Sequence, residues 1–257
     1  MNIKYRKILI SILLAMPLFL FGACSSSKII KSPAAKTKPV EELFASAVNS
    51  YNHSRYEEAE SSFKSIAQGH PLSPFAKDAQ IMLADLLYTA QRYDDAISAY
   101  TKFYKFHPTH EKAPYALFQK GMSLLRGAST IDRDLTPSKK ALFAFAEFLK
   151  LYPESIYAGK ASEVATFLEG RLATREFYIG EFYYDNENYK GALWRFAEIL
   201  KRYPEAGLTD KALYFIGETY DHLGEDELSK DAFLTLLSDF PKSPLALAAK
   251  ERLKKVS

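Results

Sequence analysis

The sequence predicts an all-α protein, a superhelical solenoid of five helix pairs with a C-terminal capping helix. Three observations carry that prediction. In the stretch 190–204, KGALWRFAEILKRYP, Ala192, Phe196, Ile199 and Pro204 stand at offsets 0, 4, 7 and 12. The first three share one face of a 3.6-residue helix and the proline ends it. The same phrase recurs as Ala59/Phe63/Ile66/Pro71, Ala96/Tyr100/Phe103/Pro108, Ala141/Phe145/Phe148/Pro153 and, with serine in the small slot, Ser229/Phe233/Leu236/Pro241. Second, another small residue precedes each copy: Ala47, Ala84, Gly180 and Gly217 by twelve positions, Gly121 by twenty. Third, 17 Tyr and 18 Phe against only 11 Gly suit helices packed by rings rather than a turn-rich β protein.

The chain opens with a basic MNIKYRK and the apolar ILISILLAMPLFLFG, then Gly22, Ala23 and Cys24. A charged start, apolar middle and small-residue exit mark residues 1–23 as a signal peptide. Removing Lys4, Arg6 and Lys7 with a leader that has no acid lowers 34 basic residues to 31, equal to the 31 acidic ones. The mature chain then has no net positive field to attract a polyanion, which argues against nucleic-acid binding. Cys24 is the single cysteine, so no intramolecular disulfide can form. Its setting resembles the lipobox of bacterial lipoproteins, with Phe21 where Leu is usual. That resemblance implies diacylglycerol on the Cys24 sulfur and cleavage before it. Ser25 in place of Asp implies onward export to the outer membrane. Several acyl chains hold far better than one, at about 0.8 kcal/mol per buried CH₂. Residues 24–40 thus comprise the lipidated cysteine and a Ser/Lys/Pro/Ala-rich tether reaching about 20–25 Å.

From residue 41 the repeats fall at about 41–73, 76–110, 113–154, 156–205 and 208–242, with the capping helix at 244–255. Two spacings are long. Eight extra residues within 126–137, RGASTIDRDLTP, predict a loop between the third pair's helices. Fourteen extra residues before Gly180, close to four turns, predict a long first helix in the fourth pair, near Ile156–Tyr184, with Ser155 as N-cap. The polar-faced last helix covers a repeat that has no further neighbour. Two helices per repeat, a small-residue/aromatic/proline pattern and a regular proline spacing of 37, three over the tetratricopeptide period of 34, make the chain resemble a tetratricopeptide-repeat protein.

No Gly-rich phosphate loop, G-x-S-x-G or H-E-x-x-H is present, and the repeats leave no room for a catalytic domain. His107 and His110 lie in a Pro-containing turn without supporting carboxylates, so no metal site is expected. Asp132, Arg133 and Asp134 are read as a self-capping ion pair rather than a partner site. A solenoid's use is its long continuous surface. On each first helix, the face beside the packed one carries Phe44, Val48 and Tyr51; Ile81, Asp85 and Tyr88; Tyr115, Phe118 and Met122; Phe177, Glu181 and Tyr184; Tyr214, Glu218 and Asp221. Such a ring-rich groove with scattered carboxylates suits extended peptides, although about half of these rings are expected to be core. Trp194, the only tryptophan, points away from its own helix's packed face, and Arg195 lies near that face's border. Trp and Arg are the types enriched at interface hot spots. Packing of Trp194 on the extended helix of the same pair is an equal alternative at this point.

HPTH (107–110), the DRD of 132–134 and RLATREFYIGEFYY (171–184), with lipobox, five repeats and both insertions, resemble the BamD family, lipoproteins of the outer-membrane β-barrel assembly machinery. The resemblance covers the mature chain. It implies a lipid-anchored protein on the periplasmic face of the outer membrane, without enzymatic activity or cofactor. Such a protein receives unfolded outer-membrane proteins at its N-terminal repeats. Through its C-terminal repeats it meets a BamA-like barrel protein with periplasmic domains, alongside other lipoproteins of the machinery. The resemblance thus favours Trp194 and Arg195 as part of that interface, and Arg195→Ala is expected to weaken the binding with melting temperature nearly unchanged. Two alternatives stay open: a scaffold for pilus or envelope-division machinery, and a repeat-containing murein-cleaving enzyme, which needs an acidic residue in a sugar cleft.

Overall fold

The computed structural model describes residues 38–127 and 135–255. The first helices of the five pairs are α1 (Val40–Asn52), α3 (Phe75–Thr89), α5 (Ala113–Gly127), α7 (Ala158–Asp185) and α9 (Thr209–Leu223). The second helices are α2 (Tyr56–Gly69), α4 (Tyr93–Phe106), α6 (Thr136–Leu151), α8 (Tyr189–Arg202) and α10 (Asp226–Asp239), and α11 (Ala246–Leu253) closes the stack. No strand occurs among the described residues, and each helix packs on its neighbours in sequence. Cys24, the leader and the DRD of 132–134 lie outside the described residues.

The repeated phrase is the core. Ala59, Ala96, Ala141, Ala192 and Ser229 are fully buried, as are Phe63, Tyr100, Phe145, Phe196 and Phe233. The upstream small residues sit against those rings. A Cβ added at Gly121 would come within 2.9 Å of Phe145, and at Gly180 or Gly217 within 2.6 Å of Phe196 or Phe233. These are below any ordinary carbon–carbon contact, so glycine sets how closely the paired helices approach. Ser229 keeps its slot by donating to the Gly217 carbonyl at 2.9 Å, which satisfies a buried hydroxyl.

Both kinds of turn repeat as well. In four pairs the first helix ends in the same Schellman arrangement, for example Gln91 N–H on Tyr88 O and Arg92 N–H on Leu87 O. Its left-handed residue is Ser54, Gln91, Glu187 or Gly224, so among these four pairs the fifth alone uses glycine there. Between pairs, the backbone N–H two residues on is accepted by the side chain of Ser73, Ser155 or Ser243, and by Nδ1 of His110. His110 is thus a turn acceptor. His107, at the preceding helix end, packs at a tilt on Phe103 and meets Gln80 at 3.0 Å. Burial, Lys77 and His110 push its pKa down.

One expectation is corrected here. The long helix begins at Ala158, and Ser155 is not its N-cap: its Oγ holds the Tyr157 N–H of the inter-repeat turn. The reason is that α7 starts five residues after its proline, as α5, α9 and α11 do. The added turns of α7 serve two cores. Ala161, Val164, Ala165 and Leu168 pack with Phe145 and Phe148 of the third pair, and Leu172, Ala173 and Phe177 pack with Phe196 of the fourth. Adjacent pairs are also tied by equivalent hydrogen bonds, Tyr51–Thr89 and Tyr184–His222, each at 3.0 Å.

Gly217→Ala should cost about 1–3 kcal/mol, because the buried Phe233 ring must move off rotamer. Gly170→Ala, with nothing within 4 Å of the added carbon, should instead stabilise α7 by about 0.5–1 kcal/mol. Urea unfolding of the two variants checks the opposite signs.

Candidate functional site

In four of the five copies the buried ring of the second helix is phenylalanine; in the second pair it is Tyr100. A buried phenol needs an acceptor. Tyr100 Oη donates to Asp85 Oδ1 at 2.6 Å, and Tyr115 Oη, from the next pair, donates to the same oxygen at 2.7 Å. Gln119 Nε2 in turn donates to Tyr115 Oη at 3.1 Å. Burial raises the Asp85 pKa, opposed by both phenols and by Lys112, while burial and the facing carboxylate raise both tyrosines. Both phenols therefore remain protonated donors and hold Asp85 as the acceptor.

Asp85 and Tyr115 of this network line a cavity of about 630 Å³. Ile81, Met82 and Asp85 come from α3, Glu111 and Lys112 from the turn into α5, Pro114 and Tyr115 from the first turn of α5, and Glu154 to Tyr157 from the turn into α7. Tyr115 and Tyr157 lie 5.7 Å apart, and Tyr157 stacks on Phe118 at 5.1 Å. At the mouth, Ile156 is 89% exposed. The long first helix of the fourth pair thus begins at the cavity, so three pairs build one site.

The structure gathers only part of the expected groove here. Ile81, Asp85 and Tyr115 line the cavity, Ile81 as a nearly buried floor residue. Phe118 does not line it: it is a core ring between Phe145, Phe148 and Tyr157. Phe44 and Val48 are half-buried on the first core, with Phe44 stacked on Phe75 at 5.2 Å. Tyr51 and Tyr88 are half-buried at the ends of α1 and α3, against Tyr56 and Tyr93. Met122 packs on the third core. Phe177 and Glu218 are buried, Glu218 paired with Arg252 of the capping helix. Glu181, Tyr184, Tyr214 and Asp221 are partly exposed, and burial pushes Tyr184 up to about 12. The residues that sequence reasoning missed, Glu111, Glu154, Ile156 and Tyr157, lie in or beside inter-repeat turns, off the helix periodicity. Tyr100 carried a readable signal, being the only tyrosine in the ring slot.

At the C-terminal half, Trp194 on α8 is 55% exposed and Arg195 lies over its ring at 4.6 Å. Arg195 Nη1 also donates to Glu176 Oε2 at 2.7 Å, and Glu176 on α7 is 8% exposed. Arg195 is thus half structural. Removing it strands a buried carboxylate, which corrects the expectation of an unchanged melting temperature. Tyr178 and Phe182, one turn apart on α7, are exposed as well. Among the described residues no group of three or more His, Cys, Asp and Glu is arranged to hold a metal.

Residues 36–234 match the family model YfiO, described as outer membrane lipoprotein. A relative from Neisseria meningitidis, named outer membrane protein assembly factor BamD, is 28% identical over 93% of this chain and 93% of its own. One of the same name from Xylella fastidiosa is 30% identical, covering 83% of this chain and 77% of its own. A solved tetratricopeptide repeat protein from Parabacteroides merdae aligns over 84% of this chain and 73% of its own, at 18% identity and a TM-score of 0.37. With a family model matched along most of its length and relatives of one name aligned nearly end to end, the chain belongs to the YfiO outer membrane lipoproteins, the family of the BamD assembly factors.

Proposed function

We propose that the protein is a non-catalytic assembly factor, lipid-anchored through Cys24 on the periplasmic face of the outer membrane. It binds unfolded outer-membrane protein segments at its second to fourth repeats and couples them to a BamA-like barrel protein through α7 and α8. The observation that carries this reading is the cavity around Asp85, Tyr115 and Tyr157, because its rings and acceptor suit a peptide held by reversible contacts. Family membership supports the outer-membrane setting. The exposed Trp194, with a cation over its ring, supports a partner surface, since large amphipathic anchors dominate interface energetics. Other lipoproteins of the machinery are further partners in this reading. Binding and release make and break no covalent bond, so no cofactor is required.

Photo-crosslinkers at Met82 and Ile156, both lining the cavity, should capture a peptide from the end of an outer-membrane barrel, while Thr101 and Thr235 should not. Equal capture at all four positions contradicts the site. Trp194→Ala should weaken co-purification of the barrel protein about tenfold or more with little change in melting temperature. Arg195→Ala should weaken it too, and in addition lower stability by roughly 1–3 kcal/mol through the stranded Glu176. Unchanged co-purification in the Trp194 variant removes this surface from the interface. Cys24→Ser should leave the membrane fraction or keep its leader, as fractionation and gel mobility report. Retention at unchanged mobility contradicts the lipid anchor.

A further inference from the structure

The charge of the cavity is lopsided. Its lining holds three carboxylates, Asp85, Glu111 and Glu154, and one ammonium, Lys112. Lys112 is already engaged, with Nζ on Asp78 Oδ1 at 2.6 Å. Both phenols donate to Asp85 Oδ1, so Oδ2 takes neither of them. Around this acceptor stand apolar Ile81, Met82, Pro114 and Ile156 and the rings of Tyr115 and Tyr157.

We infer that this cavity recognises a long cationic side chain, arginine or lysine, carried on an extended peptide segment with apolar neighbours. The inference rests on the peptide-binding reading above and names what the site selects. The methylene stem packs on Ile81, Ile156 and the tyrosine rings, and the charged head donates to Asp85, with Glu154 contributing charge at the rim. Tyr115 and Tyr157 add the attraction of an aromatic face for a cation. Two other guests fit worse. A peptide's terminal carboxylate would meet three like charges and no uncommitted cation. A purely apolar side chain would strip water from Asp85 and return no donor.

The test uses the full chain in detergent and fluorescent peptides of alternating aromatic and polar residues. A central arginine is compared with citrulline, which keeps the shape and loses the charge, each peptide having a free or an amidated C-terminus. The arginine peptide should bind about tenfold or more tighter than the citrulline peptide. Asp85→Asn, which still accepts both phenols, should abolish that difference. Glu154→Gln, in an exposed turn, should reduce the difference by a smaller factor. Equal binding of the two peptides by the unmodified protein overturns the inference while the peptide-binding reading survives. No binding by any peptide overturns both. Arginine preference that persists in Asp85→Asn, with helical content unchanged, places the cation elsewhere and overturns the inference, as does a preference for the free carboxylate over the amide.

Discussion

The structure depends on one contact, repeated five times, between a small residue of a first helix and a ring of its partner. Where the small residue is Gly180 or Gly217, the nearest ring atom lies 2.6 Å from the place a Cβ would take. A close-packed interior has no slack for that atom. The contact therefore fixes how near the two helices come, and through them the spacing of successive pairs. A solenoid's stability is close to a sum of such local terms and the interfaces between neighbours. The cavity inherits its geometry from this stack, since its walls belong to three successive pairs.

The departures from the repeat are where the chemistry lies. One hydroxyl added to one ring slot, Tyr100, requires an acceptor, and Asp85 supplies it at the position next to the small residue. Tyr115 then joins the same oxygen from the following pair, so a carboxylate is held by two fixed donors at the edge of a cavity. The fourteen residues added to α7 let one helix run from that cavity to the fourth core, meeting Arg195 at Glu176 on the way. Glu176, buried on α7, ties Arg195 of α8 to the same helix.

Much of the fold could be read from the sequence because its rule is local: a small residue, ring and aliphatic share a helix face, and proline ends the run. The long α7 was legible because fourteen residues preserve helical phase. Three features were not. The left-handed turn residues Ser54, Gln91 and Glu187 carry no glycine to mark them. Phe118 sits on the boundary between groove and core, and its burial is decided by Tyr157, thirty-nine residues later, stacking on it. The pairing of Arg195 with Glu176 joins two helices across nineteen residues, a contact no helical wheel contains. The site itself was half legible: its helix residues follow a period, while Glu154 and Ile156 sit in a turn, where no period exists.

The most direct measurement of the central claim is amide hydrogen exchange of the full chain with and without an unfolded outer-membrane protein segment. The segments that build the cavity, residues 81–88, 111–115 and 154–160, should gain protection together on binding, because one guest touches all three pairs. Protection confined to the C-terminal pairs, or spread evenly along the stack, would contradict the claim that three pairs form one binding site.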